Sequence, residues 1–168
     1  MFKRILVPVD GSAPSDSAID LAARFAADQE ARIAFVHAYD FAPIVSMSSG
    51  AGMAAIDPSL AVEATRIAGL MILQDAIKRF AASSAARTSL FLEQGPPVDS
   101  ILNVARHWRS DLIVIGSHGR GGIARVLLGS VAEGVMRRAK VPVLVVHMGA
   151  ERPKQRDGMV RAPAAVAT

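Results

Sequence analysis

The sequence predicts an α/β fold, built as a doubly wound open parallel sheet of five strands with helices on both faces. Five short apolar runs alternate with segments whose apolar residues recur at helical spacing, which is the pattern of parallel α/β layers. Several runs are apolar at consecutive positions, as expected when helices cover a strand on both sides. The length of 168 residues accommodates one such domain and a tail.

The five apolar runs give the strands. Their predicted bounds are Arg4 to Val9, Arg32 to Tyr39, Thr88 to Gln94, Leu112 to Gly116 and Val143 to His147. Right-handed crossovers make consecutive parallel strands neighbours, and a doubly wound sheet must reverse its direction of growth somewhere. If strands one to three grow outward and strand four returns beside strand one, the order is 3-2-1-4-5. This arrangement is Rossmann-like.

Helices are predicted in the connections between the strands. Ser12 is the expected N-cap of the first, and Asp57 and Pro58 are the cap and first turn of the second. The third helix follows the turn at Gly95–Pro97 and ends near Trp108. On the second helix a stripe of Leu and Met at helical spacing is expected to belong to the core.

The fourth helix runs from Ser130 to about Ala139. Ser130 and Glu133 have the S-x-x-E spacing of a capping box, in which the two side chains bond reciprocally to backbone N–H groups. This spacing predicts Ser130 as the N-cap.

Composition excludes several function classes. The hydrophobic content of 51% argues against wholesale disorder, and the absence of cysteine excludes disulfides, zinc–thiolate sites, thiol nucleophiles and iron–sulfur clusters. No apolar stretch approaches the ~20 residues of a membrane helix, and the run after Arg4 is too short for a signal peptide. We therefore expect a soluble, cytoplasmic protein without a membrane partner.

The net charge of +4 is mild, and half of it lies in the last twenty residues. No basic patch interleaved with aromatic residues appears, so nucleic acid is not an expected partner. We expect one domain over residues 1–148 and a disordered basic tail over 149–168. Residues 42–59 lack periodicity and predict a flexible loop, either a surface insertion or a lid over a site.

The carboxyl ends of strands one and four should meet where the strand order reverses, which is where open α/β sheets bind ligands. These ends carry the most unusual local sequences of the chain, Val9–Ser12 and Gly116–Gly122. Glycines in the second segment let backbone amides approach a ligand. Gly129 and Ser130 then precede a helix whose free amides attract an anion. Two anion-binding elements thus flank one crevice.

Asp10 would repel phosphates on direct contact, but a carboxylate at this place suits ribose hydroxyls or a bound metal. The implied ligand is a nucleotide with its sugar on Asp10, although Asp before Gly-Ser also closes turns and caps helices. The four His show no i, i+4 pair, which argues against a metal site built by the protein. His37 and His147 are expected to be packed core or edge residues, whereas His118 lies inside the glycine loop.

Two common glycine motifs fit poorly. Gly116 and Gly121 match the first half of a P-loop, but Gly122 and Ile123 occupy the positions of its Lys and Ser/Thr. The run from Gly119 to Ala124 matches G-x-G-x-x-A, but it follows the fourth strand instead of opening the first βαβ unit.

The spacing Gly116-x2-Gly119-x9-Gly129-Ser130 resembles the G-2x-G-9x-G-[ST] nucleotide motif of the universal stress protein family, in its ATP-binding branch. The resemblance extends over about the first 147 residues. It includes the opening Val7–Ser12, Val36–His37 on strand two, the Gly95-x-Pro97 turn and the closing run Val141–Val146.

This resemblance implies an ATP-binding protein of the adenine nucleotide alpha hydrolase-like fold that acts in stress tolerance and forms a homodimer through its last strand. By position, Asp10 would hold the ribose and Ala38 would line the adenine, where family members often carry Val. The phosphates, with Mg²⁺, would be surrounded by Gly116, His118, Gly119, Arg120, Gly129, Ser130 and Val131. The tail after Gly149 has no counterpart in the family pattern.

Two other function classes stay open. A universal stress protein-like dimer without nucleotide would act by protein contacts alone, and a nucleotide-hydrolysing or nucleotidyl-transferring enzyme would use the same fold. No catalytic residue is identified, because the crevice shows neither a P-loop Lys nor a second carboxylate beside the phosphates. We expect very slow ATP hydrolysis at most.

Overall fold

Residues 2–40, 58–119 and 128–147 are described by the computed structural model, and within them the backbone forms five strands and four helices. The strands are β1 (Arg4–Pro8), β2 (Arg32–Tyr39), β3 (Thr88–Gln94), β4 (Leu112–Gly116) and β5 (Val143–Val146). The helices are α1 (Ala13–Gln29), α2 (Pro58–Ala81), α3 (Pro97–His107) and α4 (Ser130–Arg138). Each predicted strand is present, with bounds that differ by one residue at most.

All neighbouring strands are parallel, and their order is β3-β2-β1-β4-β5, which confirms the predicted topology. Central β1 pairs with β2 from Arg4 opposite Arg32 onward, and with β4 at Ile5 opposite Leu112. The chain therefore leaves β1 for a neighbour on one side and returns from β3 to its other side. This reversal opens a crevice between the carboxyl ends of β1 and β4.

Alternate residues of the central strands face two separate cores. Ile5 and Val7 of β1 pack with Phe35 against α1 and α2, whereas Leu6 packs with Ile113 against α3 and α4. All of these side chains are fully buried. The uninterrupted apolar runs in the sequence are thus strands covered by helices on both faces.

The start of α1 agrees with the sequence prediction. Ser12 is the N-cap, and its hydroxyl accepts a hydrogen bond from the backbone N–H of Ser15 at 3.4 Å. Pro14 lies in the first turn of the helix, where the missing N–H costs nothing.

The predicted capping box of α4 is wrong. Gly129 is the N-cap, and Ser130 is the first helical residue, so no side chain caps this helix. The backbone N–H of Gly129 donates to the carbonyl oxygen of Ser117 at 2.7 Å, and this contact holds the cap one residue earlier than predicted. Glu133 is then displaced by one position from the place that a capping box requires.

The apolar residues of α2 are only partly buried. Leu73 and Phe80 belong to the core, and the Phe80 ring meets Phe35 edge-on with centroids 5.5 Å apart. Leu70 is 37% exposed and Met71 is 59% exposed. The expectation that the whole Leu and Met stripe is core is therefore wrong, because a helix on a sheet buries only the side that faces the strands.

An ion pair links α1 and α2 at the surface. The Arg79 guanidinium donates to both carboxylate oxygens of Asp20, at 2.8 and 2.7 Å. The hydrogen bond to Asp20 raises the pKa of Arg79 above its usual range. Because both side chains are about half exposed, solvent screens the pair and its contribution to stability is small.

Some expectations fall outside the described residues. These are the cap at Asp57, most of the loop expected over 42–59, and the tail over 149–168, so the domain limit at residue 148 stays a prediction. Positions 58 and 59 belong to α2. No helix within the described ranges combines the length and apolar character needed to cross a bilayer.

We predict that Phe80→Ala lowers the free energy of unfolding by about 3–5 kcal/mol, because it removes a buried ring and leaves a cavity beside Phe35. Met71→Ala on the same helix serves as the control, with an expected change within about 0.5 kcal/mol. Urea denaturation followed by circular dichroism measures both. An equal loss of unfolding free energy in the two variants would contradict the burial of Phe80 and the exposure of Met71.

Candidate functional site

A cavity of about 460 Å³ opens at the carboxyl ends of β1, β2 and β4. Its walls are completed by the first turns of α3 and α4. The volume lies in the range of ligand pockets in proteins. The cavity therefore occupies the crevice where the strand order reverses.

Eight of the predicted site residues line this cavity. They are Asp10, Ala38, Gly116, His118, Gly119, Gly129, Ser130 and Val131. Arg120 lies outside the described residues. The topology thus brings together residues from four separate elements, while their contacts with a ligand stay predictions.

Asp10 closes the turn between β1 and α1. Its Oδ1 accepts hydrogen bonds from the backbone N–H of Ser12 at 3.0 Å and from the Ser12 hydroxyl at 2.6 Å. Gly11 has a φ of 76°, a conformation that favours glycine. The turn-closing role considered for Asp10 is therefore present, and the same half-buried carboxylate also lines the cavity. One face of the carboxylate is held by the turn, which orients the group.

Gly119 lies against this carboxylate. A Cβ atom at position 119 would lie 2.6 Å from Oδ2 of Asp10, well inside van der Waals contact. The absence of a side chain thus allows the loop after β4 to approach the turn after β1.

At position 116 the backbone of α1 leaves no room for a side chain. A Cβ atom here would lie 2.7 Å from the carbonyl carbon of Pro14 and 2.8 Å from the backbone nitrogen of Ser15. These atoms belong to the first turn of α1, which cannot move without disturbing the helix. At Gly129 a Cβ atom would lie 3.1 Å from the carbonyl oxygen of Ser117. At each motif glycine, a neighbouring protein atom therefore explains why a residue without a side chain is needed.

Hydrogen bonds tie these segments into one unit. The backbone N–H of Ser117 donates to the carbonyl of Val146 at 2.8 Å, and its own carbonyl accepts from Gly129. The Ser117 hydroxyl lies 3.1 Å from Nδ1 of His118, and the Ser12 hydroxyl lies 3.4 Å from the His118 carbonyl oxygen. The turn after β1, the loop after β4 and the start of α4 are thus joined around the cavity.

The amino end of α4 faces the cavity through Ser130, Val131 and Ala132. The first N–H groups of a helix have no intrahelical acceptor, and they carry the positive end of its dipole. Because Gly129 is the cap, the Ser130 hydroxyl is not used for capping and makes no hydrogen bond with the described residues. This end of the cavity suits an anion.

His37 lines the cavity, a position that the sequence did not predict. It lies on β2, and its Nδ1 is 2.7 Å from the carbonyl oxygen of Val9. Since a carbonyl oxygen only accepts, Nδ1 carries the hydrogen. On the other side, a Cβ atom at Gly69 of α2 would lie 2.8 Å from Cδ2 of His37, so the ring is packed under this helix.

The apolar walls also went unpredicted. Val36 comes from β2, Ile115 from β4, and Pro97 and Ile101 from α3. Val36 stands two residues before Ala38 on the same strand face, so strand periodicity alone would have indicated it. The α3 residues depend on how that helix crosses the sheet, which no local pattern specifies.

Comparisons with known proteins agree with this architecture. The profile of the universal stress protein family matches residues 1–147. The universal stress protein YxiE of Bacillus subtilis is 34% identical over 150 residues, covering 88% of this chain and all of YxiE. The solved structure of the hypothetical protein MJ0577 has a TM-score of 0.73 at 26% identity, covering 90% of this chain and 99% of its own.

A second solved structure is of a universal stress protein in complex with cAMP. It has a TM-score of 0.61 at 32% identity, and the alignment covers 87% of this chain and 97% of that chain.

We predict that Gly116→Ala and Gly119→Ala differ in stability. Gly116→Ala should lower the free energy of unfolding by about 1–3 kcal/mol, because the new methyl group meets backbone atoms of α1. Gly119→Ala should lower the free energy of unfolding by less, because the new methyl group meets the end of the Asp10 side chain, which can shift at the expense of its hydrogen bonds to Ser12 without moving the backbone. Chemical denaturation of both variants measures the difference.

A double-mutant cycle tests the neighbour assigned to Gly119. Combining Gly119→Ala with Asp10→Ala removes the clash, so we expect a coupling of about 0.5–3 kcal/mol between the two changes. Additive effects would contradict this contact.

Proposed function

The chain belongs to the universal stress protein family, and from this premise we propose that it is an ATP-binding member acting as a nucleotide-dependent regulatory or stress-tolerance module. The observation that carries the proposal is the cavity at the sheet reversal, whose lining includes both a carboxylate and a helix amino end. The cAMP complex of a 32% identical structural neighbour supports an adenine nucleotide as the class of ligand.

The base would lie against the apolar wall. This wall is made of apolar, uncharged side chains, which suits a purine ring, and they belong to Val36, Ala38, Ile101 and Ile115. Ala38 is smaller than the Val often found in the family, so we expect looser packing of the adenine.

The ribose hydroxyls would donate to Asp10. Two hydrogen bonds from Ser12 already hold Oδ1, so less conformational freedom is lost when a sugar binds. In doubly wound folds, ligands bind outside the carboxyl ends of the strands, and an acidic side chain there is a known partner for ribose hydroxyls.

The phosphates would bind at the amino end of α4. The N–H groups at positions 130–132 and the Ser130 hydroxyl are donors at this end, and Gly129 and His118 stand beside them. In the described ranges no group of three or more His, Asp or Glu side chains is placed to hold a metal ion. Mg²⁺ would therefore bind mainly through the phosphates, where it neutralises their charge.

This site supports binding more than rapid chemistry. Among the described lining residues Asp10 is the one carboxylate, and the sequence shows no P-loop Lys. Efficient phosphoryl transfer needs a group that orients the nucleophile and cations on the developing charge. Since Asp10 is assigned to the ribose, we infer a binding module with slow hydrolysis at most.

We predict saturable binding of Mg-ATP by isothermal titration calorimetry. Asp10→Asn keeps an acceptor for Ser12 and removes the charge, so it should weaken binding about tenfold or more. Ser12→Ala is the matched control, because it loosens the same turn and leaves the carboxylate in place. Its affinity should stay within a few-fold of wild type.

The alternative is a dimer that acts by protein contacts alone. If the wild-type protein carries no nucleotide from purification and binds neither Mg-ATP nor cAMP at millimolar concentration, this alternative replaces the proposal.

We also propose a homodimer formed through β5. This strand is the last of the sheet, and the outer side of an edge strand presents backbone groups that another chain can pair with. Its four residues, Val143–Val146, are all apolar. A symmetric pair of such edges would extend the sheet across two chains.

We predict that Val145→Lys weakens the dimer, measured by light scattering across a dilution series. Leu90→Lys is the matched control, because Leu90 lies on β3 at the opposite edge of the sheet and is 43% exposed. This variant should dimerise like wild type. A wild-type monomer at every accessible concentration would refute the proposed interface.

A further inference from the structure

The amino ends of the strands, opposite the cavity, carry a row of basic side chains. Every strand of the sheet begins within a few residues of at least one cation. In the order of the sheet, from β3 to β5, these residues are Arg87, Arg32, Lys3 with Arg4, Arg109, and Lys140. We call this row the basic edge. All of its members are exposed except Arg4, which is partly buried.

Backbone hydrogen bonds place three of these cations side by side. The N–H of Arg32 donates to the carbonyl of Lys3 at 2.9 Å, and the N–H of Ile33 donates to the carbonyl of Arg87 at 3.1 Å. Arg32 and Arg87 therefore stand at paired positions at the starts of β2 and β3, and Lys3 lies one residue before the β1 position that pairs with Arg32. With strands about 4.8 Å apart, the five strand starts span about 19 Å.

Arg4 and Arg32 stand opposite each other in the β1–β2 register. Like charges on directly paired positions are unfavourable. The Arg4 guanidinium is held 4.6 Å above the ring of Trp108, and its buried Nε has no hydrogen-bond partner among the described residues. Such a pair of guanidinium groups is stabilised when an anion lies nearby.

The carboxylates of this end do not balance the cations. Asp111 accepts hydrogen bonds from the backbone N–H groups of Lys3 and Arg4, so its carboxylate is committed to the backbone. Asp28 and Glu30 are exposed at the end of α1. Six cations thus stand against three carboxylates in this part of the described chain.

Helix dipoles account for only part of the row, since Arg109 and Lys140 directly follow the C-caps of α3 and α4. Basic residues in the last turn of a helix, such as Arg137 and Arg138 of α4, stabilise its negative end. Lys3, Arg32 and Arg87 lie instead at the starts of strands, which have only small dipoles. Arg32 and Arg87 form no ion pair with any described carboxylate.

We propose that the basic edge binds duplex nucleic acid through its phosphate backbone, without base specificity. A row of cations about 19 Å long can meet several phosphates of a duplex, which carries one negative charge per about 1.7 Å of its axis. Trp108 is 8% exposed beneath Arg4, so it offers no ring on which the bases of a single strand stack. The exposed large apolar residues of the described ranges are found on α2, β3 and α4, and only Leu90 of β3 lies near a strand start, which is too little apolar surface for insertion into a bilayer.

This partner was not expected from the sequence, because the cations are spread from Lys3 to Lys140 and form no continuous basic run. The parallel sheet brings them together by placing all strand starts at one edge. Since the cavity lies at the other end of the strands, the basic edge and a nucleotide would not compete for the same surface.

The test is fluorescence anisotropy of a short labelled DNA duplex with the full-length protein, titrated at several salt concentrations. Wild type should bind with a Kd of about 10⁻⁴–10⁻⁶ M, falling in affinity as salt rises from about 50 to 200 mM. The variant Lys3→Gln/Arg32→Gln/Arg87→Gln should bind the duplex at least about tenfold more weakly. The slope of the logarithm of its binding constant against the logarithm of the salt concentration should be smaller in magnitude by about 3.

The matched control neutralises three cations of the tail, in Arg152→Gln/Lys154→Gln/Arg156→Gln. It has the same net charge as the edge variant, and its loss of affinity should be clearly smaller. If circular dichroism shows that the edge variant does not fold, Arg87→Gln is used alone, because it changes one exposed residue before β3. This single change should lower the magnitude of the salt dependence of the binding constant, on logarithmic axes, by about 1.

Three results would overturn the proposal. The first is no duplex binding by wild type at low salt. The second is a loss of binding in the tail variant that equals or exceeds the loss in the edge variant. The third is binding to phosphatidylserine vesicles without binding to the duplex, which would identify an anionic membrane as the partner.

Discussion

The pairing of β1 with β4 is the constraint on which the rest of this structure depends. It places β1 between β2 and β4 and forces the connections to run in opposite directions from the centre of the sheet. The turn after β1 and the loop after β4 must then pass each other closely. Gly116 and Gly119 make this passage possible, because a side chain at either position would collide with the first turn of α1 or with Asp10.

The contacts that stabilise the fold at this place are the same ones that shape the candidate site. Asp10 closes a turn and lines the cavity, and Gly129 caps α4 while it bonds to Ser117. A structural role for these residues is therefore no argument against a binding role. It means that binding and unfolding must be measured on the same variants, since a loss of nucleotide affinity alone does not separate the two.

The two ends of the sheet differ in charge for a topological reason. In a parallel sheet all strands begin at one edge and end at the other, so residues that precede strands gather at one end and residues that follow them gather at the other. Lys3, Arg32 and Arg87 meet in this way although they are far apart in sequence, and Asp10 lies at the opposite end. The fold thus separates a basic surface from the cavity by the length of the strands.

Local patterns in the sequence determined the strands, the starts of the first and third helices, the strand order and the glycines around the reversal. These features depend on neighbours in the chain or on the general rules of parallel connection. Only the tertiary structure decided the cap of α4, the exposure of Leu70 and Met71, the cavity wall supplied by Ile101, and the alignment of the basic edge. Each of these depends on contacts between residues distant in sequence, and such contacts exist only after the helices have packed on the sheet.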